Sequence, residues 1–144
     1  MITKFRAWDK ETKAMNGMAE IYRNRNQEIE LHPRDENIIL MQSTGLKDKN
    51  GKEIFEGDIL KFNDEWADYC YEGYVDGSID GFNYVEIKRE KTYFAFGKTK
   101  IPESSLINLT ENEHYPFEEL LTEASYEFEI IGNIYENPEI LKEV

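Results

Sequence analysis

Cysteine is almost missing from this chain, since Cys70 is the only one among 144 residues. A single cysteine excludes an intrachain disulfide, which fits a reducing compartment. Because free cysteines are usually small packing residues, we expect Cys70 to pack rather than to act as a nucleophile. No apolar run approaches the length of a membrane helix, and no N-terminal segment resembles a signal peptide. The sequence therefore predicts a cytoplasmic protein.

Histidine is also rare, and the patterns that usually mark a catalytic or metal site are missing. His32 and His114 each lie close to a proline, without a second ligand at zinc spacing. The acidic residues of 76–86 resemble a calcium loop only superficially, because Ile87 occupies the position of the bidentate glutamate. The chain contains no Gly-rich phosphate loop and no GxSxG motif. We predict that it is not an enzyme and has no catalytic residue, metal site or cofactor.

Basic residues are outnumbered, with 17 Lys and Arg against 30 Asp and Glu and a net charge of −13. This balance disfavours binding to nucleic acid and to anionic membranes, which both need cationic side chains. It favours a basic partner protein or mimicry of an acidic polymer. The excess is concentrated in residues 111–144, which hold ten acidic residues and one basic residue. The alternative is a nucleic-acid binder that uses the N-terminal basic cluster of Lys4, Arg6, Lys10, Lys13, Arg23 and Arg25.

The first third of the sequence predicts a series of hairpins. Alternation over residues 4–18 predicts a first hairpin with its turn at Asp9–Lys13, and a weaker pattern over 21–31 predicts a second. A short buried strand is expected at Ile38–Met41. The pair Asn50-Gly51 favours a type I′ turn, in which both central residues have positive φ.

The middle of the chain contains several pairs of adjacent glycine and aspartate residues. Gly57-Asp58 predicts a bulge or a bend at the corner of a small barrel. Residues 63–70 are expected to form a loop or a bulged strand, followed by turns at Asp76-Gly77 and Asp80-Gly81. Further strands are predicted at Tyr84–Lys88, Thr92–Phe96 and Leu106–Leu109.

One helix is predicted near Tyr115, followed by a strand and a final helical turn. The apolar stripe of this helix consists of Phe117, Leu120, Leu121 and Ala124. The period then changes to two over Tyr126–Ile130, which predicts a half-buried strand that Gly132 ends. Asn137 is expected to cap the last turn, with Pro138 at its first position.

An aromatic segment between Trp66 and Tyr74 is a candidate interaction surface. Its members are Trp66, Tyr69, Tyr71 and Tyr74, and aromatic residues of this kind anchor interfaces. Intervening carboxylates would repel phosphate, so protein contact is favoured over nucleic acid, while ordinary core packing remains the alternative. Glu127 and Glu129 belong to the same candidate surface as representatives of the acidic C-terminal region.

Three segments of the chain resemble the YopX protein family. They are MITKFRAWDKETKAM at the start, MQSTGLKDKNGKEIFEGDIL in the centre and FEIIGNIYENPEIL near the end. The resemblance implies a small protein of bacteriophages or prophages of Gram-positive bacteria, with a β-rich fold of barrel-like units. It offers no catalytic residues to carry over. The shared positions are predicted turn, bend or cap residues: Gly45, Asn50, Gly51, Gly57, Asp58, Gly132, Asn137 and Pro138.

Together these observations predict a β-dominated α+β protein with an SH3-like or small-barrel body, an N-terminal β-hairpin and one or two short helices. We expect one domain over 1–144, with possible sub-units at 1–36 and 37–144. The expected function is a non-enzymatic phage accessory protein, acting through contacts with a phage or host protein in the cytoplasm of the infected cell. A homo-oligomer is plausible because exposed barrel edges often pair. A nucleic-acid-related role, as a binder or as an acidic DNA mimic, is the alternative.

Overall fold

Two antiparallel sheets form most of the molecule, and the computed structural model describes residues 2–22, 37–69, 73 and 75–142. The first sheet has the order β2-β1-β3-β4. Its strands are β1 (Ile2–Asp9), β2 (Ala14–Tyr22), β3 (Ile38–Lys47) and β4 (Glu53–Phe55). β1 and β2 form the predicted N-terminal hairpin, which is confirmed. The hairpin predicted over 21–31 lies outside the described residues beyond Tyr22.

The second sheet has the order β7-β6-β5-β8 and curls into a half-barrel. Its strands are β5 (Asp58–Tyr69), β6 (Val75–Arg89), β7 (Phe94–Thr99) and β8 (Glu129–Asn133). β5 and β6 pair along most of their length, from Ile59 opposite Glu86 to Tyr69 opposite Val75. The predicted β-dominated α+β class with a barrel-like body is confirmed.

Short helices cover one side of the second sheet. They are α1 (Ser105–Glu111), α2 (Phe117–Leu121) and the 3-10 helix at Ala124–Tyr126, whereas a second 3-10 helix at Pro138–Leu141 follows β8. The core lies between these helices and the inner face of the half-barrel. Its aromatic centre is Phe128, whose ring lies 5.1 Å from that of Phe62 and 5.7 Å from that of Phe96. The buried cluster contains Ile54, Leu60, Phe62, Val85, Ile87, Phe96, Leu106, Leu120, Leu121 and Phe128.

The loop between β3 and β4 differs from the predicted type I′ turn. Only Gly51 of the predicted pair has a positive φ, of 80°, while Asn50 does not. The backbone N–H of Gly51 donates to the Asp48 carbonyl, and the Asp48 carboxylate accepts from the N–H groups of Asn50 and Lys52 at 2.9 Å each. The buried Asp48 side chain therefore selects a longer loop that ends in a left-handed glycine.

The chain passes from one sheet to the other at Glu56-Gly57, as the predicted bend at Gly57-Asp58 requires. Gly57 has a φ of 86°, and its N–H donates to the Ile87 carbonyl at 2.7 Å. Asp58 begins β5, and its carboxylate accepts from the Phe55 N–H at 2.8 Å. The corner is thus fixed by contacts to both sheets.

Several predicted elements between residues 63 and 109 are wrong. Asp76-Gly77 and Asp80-Gly81 are not turns, because both pairs lie inside the long strand β6. For residues 63–69 the bulged-strand alternative is confirmed, because they belong to β5 and its pairing has an irregularity between Ala67 and Tyr69. The predicted strand at Leu106–Leu109 is part of α1, because Ser104 caps a helix there.

The C-terminal third contains two smaller corrections. The predicted helical stripe stops at Leu121, and Ala124 belongs to an exposed 3-10 helix. The strand predicted from Tyr126 begins at Glu129, because Glu127 has left-handed backbone angles. Gly132 does not end the strand but pairs with Ile59 within it.

Candidate interaction groove

The sheet of β5 and β6 becomes polar beyond the core. On these strands Asn63 lies opposite Phe82, Asp64 opposite Gly81 and Glu65 opposite Asp80. Since successive side chains of a strand point to opposite faces, Asp64 lies on the same face as the core residue Phe62, and Glu65 lies on the outer face. This half of the half-barrel therefore carries acidic side chains on both of its faces.

A surface groove of about 570 Å³ lies at this end of the half-barrel. It is bounded by the two strands, by the start of α1 and by the 3-10 helix before β8. Its lining residues are Asn63, Asp64, Glu65, Asp80, Gly81, Phe82, Ser105, Ser125 and Tyr126. The lining therefore joins polar and aromatic groups from four elements of the fold.

Asp64 forms the floor of the groove and is only 7% exposed. Its carboxylate accepts hydrogen bonds from the Ser104 hydroxyl at 2.6 Å and the Asn83 amide at 2.9 Å. The Leu106 N–H points at the other carboxylate oxygen from 3.4 Å. Because these donors occupy the carboxylate and Ser104 is itself buried, this group positions α1 against the sheet.

Two exposed carboxylates line the groove, those of Glu65 and Asp80, and the exposed carboxylate of Glu127 lies beside it. Glu65 accepts from the Ser78 hydroxyl at 2.8 Å, and Glu127 accepts from the Asn63 side-chain amide at 2.9 Å. Asp80 is exposed beside Glu65. Burial raises the pKa of the nearby Tyr126 hydroxyl, and the negative charges of Asp64 and Glu123 raise it further. Tyr126 therefore remains a neutral hydrogen-bonding group at the wall of an anionic groove.

An exposed aromatic ring lies at the margin of the groove. Phe82 is 57% exposed, and the Lys61 ammonium lies 4.0 Å from the centre of its ring. Because the Phe82 ring already attracts the ammonium of Lys61, an exposed ring of this kind can also contact cationic and aliphatic side chains of another molecule. The sequence did not indicate Phe82 and Asp80 as surface candidates, because Asp80-Gly81 was interpreted as a turn and Phe82 follows that pair.

The structure places one member of the predicted aromatic surface, Trp66, next to the groove. Trp66 is half-buried against Gly81, where a Cβ would lie 2.8 Å from the indole ring. Trp66 lines a second groove of about 300 Å³, which shares Glu65 and Ser105 with the first. The backbone of Tyr69 ends β5, whereas Tyr71 and Tyr74 lie outside the described residues.

The two predicted glutamates have different surroundings. Glu127 is exposed and borders the groove through its hydrogen bond with the lining residue Asn63, while it lines a separate groove of about 360 Å³. Glu129 is half-buried in β8, and its carboxylate lies 3.1 Å from the Lys49 ammonium. Because this contact joins β8 to the loop after β3, Glu129 is oriented by the fold and lies away from the groove lining.

The predicted N-terminal basic cluster is reduced by the fold. The Arg6 guanidinium is largely buried and pairs with Asp58, and Lys4 lies 3.9 Å from Glu53. Lys10 and Lys13 are exposed, while Arg23 and Arg25 lie outside the described residues. Arg6 is therefore not available to contact a nucleic-acid phosphate.

The remaining turn and cap residues shape the end of the chain. Asn137 precedes the last 3-10 helix and Pro138 begins it, but the Asn137 side chain makes no capping hydrogen bond. Its oxygen instead accepts from the Asn133 N–H at 3.3 Å. Gly132 packs directly beneath this side chain, because a Cβ there would meet the Asn137 oxygen at 2.5 Å.

Metal-ligand clusters and membrane-spanning helices are both missing from the part of the chain that the structure describes. No group of three or more His, Cys, Asp or Glu side chains within it could hold a metal ion. No helix within it is long and apolar enough to cross a membrane.

The fold is that of a small two-sheet β protein with an acidic groove at one end of its half-barrel. A family model described as YopX protein matches residues 4–142. The chain belongs to this family, and the resemblance of the three sequence segments is confirmed. A solved structure that it resembles is the crystal structure of protein EF1440 from Enterococcus faecalis, with 29% sequence identity and a TM-score of 0.51. The match covers 97% of this chain and 98% of that one, whereas the comparison with curated proteins found no match.

Proposed function

We propose that this YopX protein is a non-enzymatic binding module that docks a basic segment of a partner protein in the groove. The observation that carries the proposal is the position of Glu65 and Asp80 in the groove lining with the exposed Phe82, while Glu127 borders the groove through its hydrogen bond with Asn63. An anionic groove with an aromatic margin complements a segment that carries lysine or arginine. An accessory role in a bacteriophage or prophage, in the cytoplasm of the host, is the setting that the sequence resemblance supports.

A protein partner is favoured over nucleic acid by the distribution of charge. The net charge is −13, and the groove itself is acidic. Phosphate would be repelled at this surface, whereas cationic side chains would be attracted. The pairing of Arg6 with Asp58 further weakens the alternative of a nucleic-acid binder at the N-terminal hairpin.

The test is the binding of lysine- and arginine-containing peptides to the wild-type protein at low and at high salt. The groove variant Glu65→Gln, Asp80→Asn and Glu127→Gln removes three charges and keeps each side chain's shape and acceptor oxygen. We expect this variant to bind roughly tenfold more weakly, with a smaller dependence on salt. Competition by duplex DNA is measured in parallel, because displacement of the peptide by DNA would favour a nucleic-acid site.

A matched control removes the same charge elsewhere. Glu11, Glu113 and Glu139 are exposed and lie outside the groove lining, so Glu11→Gln, Glu113→Gln and Glu139→Gln form the control variant. Equal weakening in both variants would mean that net charge alone attracts the peptides. No difference between either variant and the wild type would contradict docking in the groove.

A further inference from the structure

One edge of β5 is free of a second strand beside the groove. β8 pairs with β5 only from Asp58 to Lys61, and β5 then continues to Tyr69. Among the described residues, β6 is the only strand that pairs with this second half of β5. An exposed strand edge of this kind presents backbone N–H and C=O groups that an incoming strand can use.

The segment that precedes β8 departs from the edge of β5 beyond the pair of Lys61 and Glu129. Glu127 has a left-handed φ of 49°, and the 3-10 helix before it turns away from the strand direction of β8. The Asn63 side-chain amide donates to the Ser125 carbonyl at 3.2 Å and to the Glu127 carboxylate at 2.9 Å. A side chain of β5, rather than its backbone, therefore holds the departing segment.

Within the described residues, no second strand pairs with the backbone of β5 next to the groove. Between Asn63 and Trp66, the hydrogen bonds that the described residues make to this backbone belong to the ladder with β6. Asn63, Asp64 and Glu65 line the groove from β5, while Ser125 and Tyr126 line it from the departing segment. The groove thus reaches the strand edge on the side that β8 has left.

From this geometry we propose that the partner's basic segment binds as an extended strand along the edge of β5 from Asn63 to Trp66. This inference rests on the proposed function and specifies how the docked segment is held. Backbone pairing supplies affinity in strand addition, and side chains at alternate positions supply specificity. Every second side chain of the incoming strand lies on the face of Glu65 and Asp80, so we expect lysine or arginine at those positions.

A cationic partner explains the edge better than a second copy of this chain does. Two copies paired at β5 would bring Glu65 and its neighbouring carboxylates together, in a protein of net charge −13. Like charges across a strand pair are destabilising, and charged edges are a common protection against self-association. An alternating cationic strand would reverse this repulsion.

The test uses a synthetic peptide, Lys-Thr-Lys-Val-Lys-Thr-Lys, with blocked ends. Two N-methylated forms are made, one methylated at the odd residues and one at the even residues. Both forms keep all of the charges, but each loses the hydrogen-bonding N–H groups along one of its two edges. If the peptide adds to β5, only one of the two forms should lose affinity, by roughly tenfold or more, because only one edge faces β5.

Hydrogen exchange of the full chain supplies a second readout. The parent peptide should slow amide exchange between Asn63 and Trp66, and the form that fails to bind should not. Equal affinity of both methylated forms, with the groove variant still weakened, would overturn strand addition while docking in the groove stands. Equal affinity of the parent peptide for the wild type and the groove variant would contradict both proposals. Self-association of the free protein that protects the same amides would assign the edge to a second copy instead.

Discussion

Arg6 of β1 and Asp58 of β5 form an ion pair that joins the two sheets, with 2.6 Å between Nη2 and Oδ1. Asp58 is 1% exposed, and the Arg6 guanidinium lies 5.0 Å from the centre of the Phe55 ring. Burial raises the pKa of Asp58, although the charge of Arg6 and the hydrogen bond from Phe55 act in the opposite direction. The pair therefore occupies a site where either charge alone would be costly.

We expect Asp58→Asn to lower the free energy of unfolding by about 3 kcal/mol, because it leaves the Arg6 charge buried without a counterion. Arg6→Met should cost a comparable amount, since it leaves the Asp58 carboxylate alone. The double variant should cost less than the two single changes added together, because neither charge then remains unpaired. Urea denaturation at neutral pH measures all three.

Lys4 provides the control on the same strand. Its ammonium lies 3.9 Å from Glu53 with 45% of the side chain exposed, so Lys4→Met should change stability by less than about 0.5 kcal/mol. Strict additivity of the Arg6 and Asp58 changes would show that the pair does not couple the two sheets.

The second prediction concerns Ser104, which is 2% exposed and donates to Asp64 at 2.6 Å. Ser104→Ala removes this hydrogen bond and the cap of α1, so we expect a loss of about 2 to 3 kcal/mol in thermal or urea unfolding. Ser105→Ala is the neighbouring control and should lie within about 0.5 kcal/mol of the wild type, because the half-buried Ser105 hydroxyl makes no hydrogen bond within the part of the chain that the structure describes. Similar stability of the two variants would mean that Asp64 does not position α1.

The third prediction tests the contact beneath Asn137. A Cβ on Gly132 would lie 2.5 Å from the Asn137 oxygen and 2.8 Å from its side-chain carbon, so Gly132→Ala should destabilise the protein by about 1 to 3 kcal/mol. Asn137→Ala should recover part of this loss in the double variant, because it removes the atoms that the new methyl group meets. An additive double variant, measured by urea denaturation, would refute the steric explanation.

The fourth prediction is a pH dependence at Glu86, a half-buried residue of β6. Burial raises the pKa of this carboxyl above its ordinary value of 4.5, and Lys88 only partly opposes the shift. A raised carboxyl pKa in the folded state means that ionised Glu86 disfavours folding at neutral pH. This cost disappears as the pH falls through the raised pKa towards 4.5.

Glu86→Gln should therefore be more stable than the wild type at neutral pH, with the difference shrinking as the pH falls. Denaturation curves at a series of pH values measure the difference. Glu90→Gln, on the exposed end of the same hairpin, serves as a comparison that loses a surface contact to Lys88. A gain that persists unchanged at acidic pH would show that the benefit of Glu86→Gln does not come from the missing charge.

Local patterns predicted much of the fold. Alternating residues predicted the N-terminal hairpin, and Gly57-Asp58 predicted the bend between the sheets. The apolar spacing of Phe117, Leu120 and Leu121 predicted α2. These features depend on residues that are close in sequence, so a short window of the chain contains their cause.

Long-range contacts account for the errors. The Asp48 carboxylate accepts from the N–H of Ile130, 82 residues away, and this contact helps to hold the loop that was predicted as a type I′ turn. Gly81 lies in a strand because the Trp66 ring packs against it, although Asp80-Gly81 alone favours a turn. Short windows of sequence contain neither partner.

The groove was only partly predictable for the same reason. Trp66 and Glu127 were recognised as surface candidates from residue type and local charge. The groove itself depends on the register of β5 against β6, which places Asn63 opposite Phe82 and Glu65 opposite Asp80 and which the glycines left ambiguous. Asp64 gave no signal, because its burial follows from Ser104 and Asn83 at distant positions.

The most direct measurement is a titration of the isotopically labelled protein with the cationic peptide, followed by amide NMR spectroscopy. Docking in the groove predicts shifts that cluster at Asn63–Trp66, Asp80–Phe82 and Ser125–Glu127, and that weaken together at high salt. The groove variant should lose these shifts, while the variant at Glu11, Glu113 and Glu139 should keep them. Shifts scattered over the acidic surface, or equal in the two variants, would contradict a specific binding groove.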